Sequence, residues 1–141
     1  MSHSLILLSI QHIMKKTEKV SSTPQIQAHL KSLLAALAEN KAVTPEMIKE
    51  MKEMRERFIE IEQPTIVKSI RLVYEHLAAY ETINNLSYWE AEEVELDDDN
   101  AGYEYYLGLL KNPANKYNRE EIKEINVQLK AIADGIVDEE E

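Results

Sequence analysis

The most constraining feature of the sequence is the run TPEMIKEMKEMRERFIEI, residues 44–61. Its apolar side chains recur at intervals of four, three, four and three residues: Met47, Met51, Met54, Phe58 and Ile61. This period places them on one face of an α-helix, and Thr44 followed by Pro45 is typical of a helix start. The three methionines could line an adaptable groove, but this spacing favours an ordinary core.

The same period recurs along most of the chain. It predicts five further helical segments: Ser4–Val20, Pro24–Asn40, Pro64–Tyr80, Ala101–Lys111, and a last helix that carries Ile122, Ile125, Leu129 and Ile132. No strand pattern is present, and 3 Gly and 4 Pro in 141 residues leave little turn chemistry for a sheet. We predict an all-α, single-domain helical bundle of five to six antiparallel helices over residues 1–137, with residues 138–141 as a flexible acidic tail.

Helix ends are also indicated locally. Two sequence pairs match the capping-box pattern: Ser87 with Glu90, and Asn118 with Glu121. Ser87 and Asn118 are therefore each expected to cap the start of a helix. The first box predicts a short acidic helix from Tyr88 to about Leu96 that faces water over most of its surface. Gly135 is expected to end the last helix in a left-handed conformation.

Charge is unevenly distributed. Residues 1–80 carry 11 Lys and Arg against 9 Asp and Glu, whereas residues 81–141 carry 5 against 17. An excess of negative charge repels phosphate, so direct nucleic-acid binding is not expected from the C-terminal half. A basic protein partner is the natural complement.

The acidic stretch EVELDDDNAGYEYY, residues 93–106, is the candidate binding site. As a calcium loop starting at Asp97 it has Gly102 at the sixth position, but Ala101 at the fifth and Gly108 at the twelfth supply no ligand. We therefore predict a protein-contact surface instead. Its predicted residues are Glu90, Glu92, Glu93, Glu95, Asp97, Asp98, Asp99, Tyr103 and Tyr106.

Tyrosines follow the acidic run closely. Tyr is enriched at protein interfaces because it buries area while keeping a polar tip. An exposed aromatic patch and partial burial in the core are both open for Tyr103 and Tyr106 from the sequence alone.

Catalytic patterns are missing from the sequence. There is no Cys, no His-Glu-x-x-His zinc motif and no Gly-rich phosphate loop, so we expect no enzyme activity, no metal and no cofactor.

One alternative to a non-catalytic binding protein remains. The segment HIMKK, His12–Lys16, resembles the active helix of histidine phosphotransfer domains at His12, Met14 and Lys15, while Lys16 stands where that family has Gly. That resemblance implies a signalling module that uses His12.

The predicted helix Ser4–Val20 is apolar around nearly the whole circumference of its first turns. A single bundle has difficulty burying all of it, so a homodimer through Leu5, Leu8 and their neighbours is expected. The apolar stretch Ser4–Ile10 has neither the flanking charges of a signal peptide nor the length of a membrane span. We expect a soluble, cytoplasmic protein without a membrane role.

Overall fold

The computed structural model of the protein describes residues 23–135. Within this range the chain forms six helices and no strand, which confirms the all-α helical bundle. The helices are α1 (residues 23–40), α2 (Pro45–Glu60), α3 (Pro64–Tyr80), α4 (Tyr88–Ala91), α5 (Ala101–Leu110) and α6 (Lys116–Ala133).

Three predictions fall outside the described residues. These are the helix Ser4–Val20 with its dimer contacts Leu5 and Leu8, the phosphotransfer site His12, and the acidic tail 138–141. They stay predictions.

The start of α2 follows the sequence pattern closely. Thr44 is its N-cap, and the Thr44 Oγ1 accepts a hydrogen bond from the backbone N–H of Met47 at 3.2 Å. The apolar residues Met47, Met51, Met54 and Phe58 are all buried. The methionines are therefore part of the core and do not line a groove.

Consecutive long helices run antiparallel. Residues near the start of α1 contact the end of α2, since Arg57 Nη1 donates to Gln25 Oε1 at 2.9 Å. The next pair, α2 and α3, is joined by Arg55 Nε donating to Val67 O at 2.9 Å. Short connections of a few residues enforce this arrangement.

The helices α3 and α6 are not consecutive, but they pack against each other. Near the start of α3, Asn126 Nδ2 donates to Thr65 O at 3.3 Å. Near the ends of both helices, Tyr80 and Ala133 line one shared cavity. Burial of the α6 apolar stripe on α3 sets this contact.

One continuous core joins all six helices. Its main members are Ile26, Leu30, Leu33, Met51, Met54, Phe58, Ile66, Ile70, Val73, Trp89, Tyr103, Tyr106, Leu110, Ile122, Ile125 and Leu129. Each long helix contributes residues three or four apart, which is the stripe that an amphipathic helix buries.

The predicted acidic helix is much shorter than expected, because α4 covers only Tyr88–Ala91. Ser87 makes no side-chain cap hydrogen bond, and the backbone N–H of Tyr88 donates instead to Gln128 Oε1 of α6 at 2.8 Å. Tyr88 and Trp89 are buried, but most of the stretch 88–96 is exposed, so the expectation that it mostly faces water holds. A tertiary contact with α6 replaces the local cap.

The second capping box is corrected as well. The N-cap of α6 is Asn115, whose Oδ1 accepts from the backbone N–H groups of Tyr117 and Asn118 at 2.9 and 3.0 Å. Asn118 is already helical, and its Nδ2 donates to Leu109 O and Asn112 O at the preceding turn.

The predicted left-handed conformation of Gly135 is confirmed, with φ at +79°. The Gly135 N–H donates to Ile132 O at 3.0 Å, which closes the last turn of α6.

None of the helices among residues 23–135 combines the length and apolar character needed to cross a bilayer.

Candidate functional site

The acidic loop, residues 92–100, connects α4 to α5, and six of its nine residues are Asp or Glu with exposed side chains. The loop leaves α4 through Glu93, which has φ of 57°. The Glu93 N–H donates to Glu90 O at 3.1 Å and the Val94 N–H donates to Trp89 O at 2.8 Å. This pair of bonds is a Schellman motif. A longer helix would stack carboxylates near its negative end, so ending at Ala91 relieves repulsion.

Hydrogen bonds from the α3–α4 connection hold the far end of the acidic loop. Asn84 Nδ2 donates to Asp98 O at 2.7 Å, and Thr82 Oγ1 donates to Asp99 O at 2.9 Å. Asn84 Oδ1 in turn accepts from the backbone N–H of Gly102 at 2.8 Å. This N–H belongs to the first turn of α5, which has no intrahelical partner for it. Asn84 therefore fixes both the loop and the start of α5.

A third anchor reaches the other side of the acidic loop. Asn100 Nδ2 donates to Lys41 O in the α1–α2 connection at 3.0 Å. The Asn100 N–H donates to Asp98 Oδ1 at 2.9 Å, which forms a local turn. The backbone of the loop is thus held in place, while its carboxylates remain on the surface.

These anchors create a groove of about 540 Å³ between α1 and the acidic loop, which we call the acidic groove. It is lined by Leu34, Leu37, Ala38, Lys41, Asp98, Asp99, Asn100 and Glu104. One wall is apolar and comes from α1. The opposite wall carries the carboxylates of Asp98, Asp99 and Glu104, and the groove has one ammonium group, that of Lys41. The groove is therefore suited to a cation with an apolar stem.

Tyr103 and Tyr106, predicted as surface contacts, are placed in the core, with exposed fractions of 1% and 0%. Tyr106 Oη donates to the buried Ser69 Oγ at 2.8 Å. Both tyrosines lie on the buried face of α5, three residues apart, so the packing of α5 leaves no room for them at the surface. The surface assignment of these two residues is therefore wrong.

An aromatic cluster supports the acidic loop from inside. The buried Trp89 ring packs edge-on against Tyr88 and Tyr105, with ring centroids 5.2 and 5.5 Å apart. Trp89 Nε1 donates to Ile83 O at 2.7 Å. The hydroxyl groups of Tyr88 and Tyr105 both donate to one oxygen, Glu121 Oε1, at 2.5 Å. The loop therefore emerges from a packed and hydrogen-bonded base.

These phenols are poor acid–base groups. Burial, followed by the neighbouring Glu121 carboxylate, raises the pKa of Tyr105 to about 12 and also raises that of Tyr88. Burial likewise raises the pKa of Tyr103 and of Tyr106. All four remain protonated at neutral pH and serve as hydrogen-bond donors or core residues.

The remaining predicted contact residues lie on the surface, in two groups. Asp98 and Asp99 line the acidic groove. The others surround it without lining it: Glu90, Glu92, Glu93, Glu95 and Asp97. Glu104, Leu34 and Leu37 also line the acidic groove, although none of them was predicted as a contact residue. Leu34 and Leu37 lie about 60 positions before the loop, so no local sequence pattern connects them with it.

Among residues 23–135, no three His, Asp or Glu side chains gather closely enough to hold a metal ion. Comparisons of the chain with protein-family models, with curated proteins and with solved structures find no match. Function therefore has to be inferred from the geometry and charge of the loop and the groove.

A separate polar site lies between α3 and α4. His76 is buried, and its Nε2 lies 2.8 Å from Asn85 Oδ1. Because an amide oxygen only accepts, Nε2 carries the proton of a neutral ring. The ring also packs on Tyr80, with centroids 4.5 Å apart. Burial lowers the pKa of His76 from its usual 6.5, and the hydrogen bond to Asn85 opposes this only in part.

We expect acidification to destabilise the protein through His76. As pH falls through 6.5, the unfolded chain takes up a proton at His76 while the folded chain does not, so the free energy of unfolding falls until the lowered folded pKa is reached. His76→Gln keeps a donor for Asn85 but cannot titrate. The unfolding free energy of the parent minus that of the variant should be larger at about pH 7.5 than at about pH 5.5, because only the parent loses stability through His76. A difference that is constant across this range in urea titrations contradicts the prediction.

Proposed function

We propose that this protein is a non-catalytic binding protein whose acidic loop holds a basic protein partner. The single observation that carries the proposal is the acidic groove, which combines an apolar wall with three carboxylates. Arginine and lysine side chains have the matching form, since an apolar stem ends in a cation. One such side chain of the partner would lie along Leu34 and Leu37, with its charge between Asp98, Asp99 and Glu104.

The rigid base of the loop favours binding over a merely solvated turn. Its backbone is fixed by Asn84, Thr82 and Asn100 before any partner arrives. A preorganised site loses less conformational entropy on binding than a mobile one. The cost of gathering so many carboxylates is offset when a cationic partner neutralises them.

The charge of the site also selects the class of partner. Nucleic acid carries the same sign as the acidic loop and is repelled by it. We therefore propose a basic protein, with the chain acting as an acidic antagonist that occupies its cationic face. A cytoplasmic location is part of this proposal.

The test uses a fluorescently labelled peptide of alternating arginine and glycine as the probe. A groove variant, Asp98→Asn, Asp99→Asn and Glu104→Gln, removes the three carboxylates, and Asn at position 98 still accepts the turn hydrogen bond. The control variant, Glu53→Gln, Glu56→Gln and Glu124→Gln, removes three exposed carboxylates that lie elsewhere. Both variants have the same net charge.

We expect the groove variant to weaken equilibrium binding of the peptide about tenfold and the control variant about twofold, since contacting ion pairs contribute up to about 1 kcal/mol each. Fluorescence anisotropy measures both. Equal weakening by the two variants contradicts a specific groove and shows that net charge alone attracts the peptide.

A further inference from the structure

A second groove, of about 480 Å³, lies between the first part of α3 and the second half of α6. It is lined by Thr65, Lys68, Lys123, Asn126, Val127, Lys130, Ala131 and Asp134. Its lining carries three lysines against one aspartate, whereas residues 23–135 as a whole carry 13 Lys and Arg against 21 Asp and Glu. We call it the lysine groove, and its charge is opposite to the net charge of residues 23–135.

The α6 wall of the lysine groove has a regular pattern. Lys123, Val127 and Lys130 follow at intervals of four and three residues and so share one face. Val127 is 69% exposed, which leaves an apolar side chain in water between two cations. The two lysines are separated by about 10.5 Å along the helix axis, from the rise of about 1.5 Å per residue.

Both lysines are available to a ligand. Lys123 Nζ lies 3.5 Å from Glu120 Oε2, and Lys130 Nζ lies 3.0 Å from Asp134 Oδ2. These ion pairs are between exposed side chains on one helix, and pairs of this kind contribute little. An incoming carboxylate can therefore replace or share them.

The floor of the groove contains an unsatisfied acceptor. Asn126 is 7% exposed, and its Nδ2 donates to Thr65 O at 3.3 Å. Its Oδ1 has no hydrogen-bond partner among the described residues. This oxygen is buried beneath the groove, so the binding groups that face a ligand are the lysines and Val127.

We propose that the lysine groove binds a short acidic peptide segment of a partner protein, in extended form, with the pattern Glu-x-Val-x-Glu. In an extended chain the first, third and fifth residues share one face over about 13 Å, which the long lysine side chains can match. The central valine then packs on Val127, and the carboxylates reach Lys123 and Lys130.

Other anions fit less well. Inorganic phosphate is compact, so it would have to draw together two lysine side chains whose positions are about 10.5 Å apart along the helix, and it would leave Val127 uncovered. Nucleic acid is a long polyanion and is disfavoured by the net negative charge of residues 23–135. This site goes beyond the proposed acidic-loop function and does not depend on it.

The probe is the peptide Gly-Glu-Ala-Val-Ala-Glu-Gly with blocked ends and an uncharged fluorophore, and its anisotropy is followed at low ionic strength. We expect saturable binding that weakens about fivefold in Lys123→Gln/Lys130→Gln and less than about twofold in the control Lys31→Gln/Lys49→Gln, which removes two exposed lysines from other helices. Val127→Ser is expected to weaken binding without changing charge. Circular dichroism checks that each variant is folded.

Four results would overturn the proposal. The first is an absence of saturable binding, and the second is equal weakening by the control pair. The third is equal affinity for a scrambled peptide with its two glutamates adjacent and the valine at one end. The fourth is displacement of the peptide by inorganic phosphate or by a short single-stranded oligonucleotide at lower concentration than the unlabelled peptide.

Discussion

Gly102→Ala is expected to lower the free energy of unfolding by about 2 kcal/mol or more, because overpacking a rigid core typically costs about 1–3 kcal/mol. A Cβ at position 102 would lie 2.8 Å from Asn84 Oδ1 and 3.1 Å from two atoms of the Trp89 ring. Neither neighbour can yield easily. Asn84 makes the hydrogen bonds that fix the acidic loop, and the Trp89 indole is buried and bonded to Ile83 O.

The matched control is Gly108→Ala, in the same helix. Gly108 is exposed, and a Cβ there would meet nothing within 4 Å. Alanine loses less backbone entropy than glycine in a helix, so this change should raise the free energy of unfolding by about 0.5–1 kcal/mol. Equilibrium unfolding in urea gives both values. If the two substitutions shift stability in the same direction, close packing at Gly102 is not the reason for glycine there.

Gly102 shows how spacing along the chain can point to the wrong partner. In the sequence it occupies the glycine position of a calcium loop that starts at Asp97. In the fold its partner is Asn84, 18 residues earlier, and the glycine is needed for close approach. A contact between residues 18 positions apart produces no periodic pattern in the sequence.

The helices were predictable where local chemistry and burial agree. Thr44, Pro45 and the apolar series of α2 specify the start, the direction and the buried face together. The capping boxes failed because four-residue patterns recur by chance. Glu121, predicted as a cap partner of Asn118, instead accepts hydrogen bonds from Tyr88 and Tyr105.

The burial of the tyrosines could have been predicted from the sequence. Tyr103, Tyr106, Leu107 and Leu110 are spaced three, one and three residues apart, which is the pattern of a buried helical face. The neighbouring acidic run and the polar tip of tyrosine drew attention to the surface instead. The acidic groove itself could not have been predicted, because its apolar wall belongs to α1.

The acidic residues around the groove should act on the rate of association and not on the lifetime of the complex. Glu90, Glu92, Glu95 and Asp97 are exposed and do not line the acidic groove. Charges of this kind attract a cation from a distance, whereas charges in contact with it determine how fast it leaves. Association and dissociation rates therefore show whether a carboxylate attracts the partner from a distance or contacts it directly.

Replacing Glu90, Glu92 and Glu95 by Gln and Asp97 by Asn is expected to lower the association rate constant of the arginine–glycine peptide about tenfold at low salt, within the range known for electrostatic steering. The dissociation rate constant should stay nearly unchanged, because Asp98, Asp99 and Glu104 are retained. Added salt should remove the difference between parent and variant as the screening length falls to about 8–10 Å. Stopped-flow fluorescence measures both rate constants. A variant that associates as fast as the parent at low salt shows that these four carboxylates are only solvated surface, while a faster dissociation shows that they contact the peptide directly.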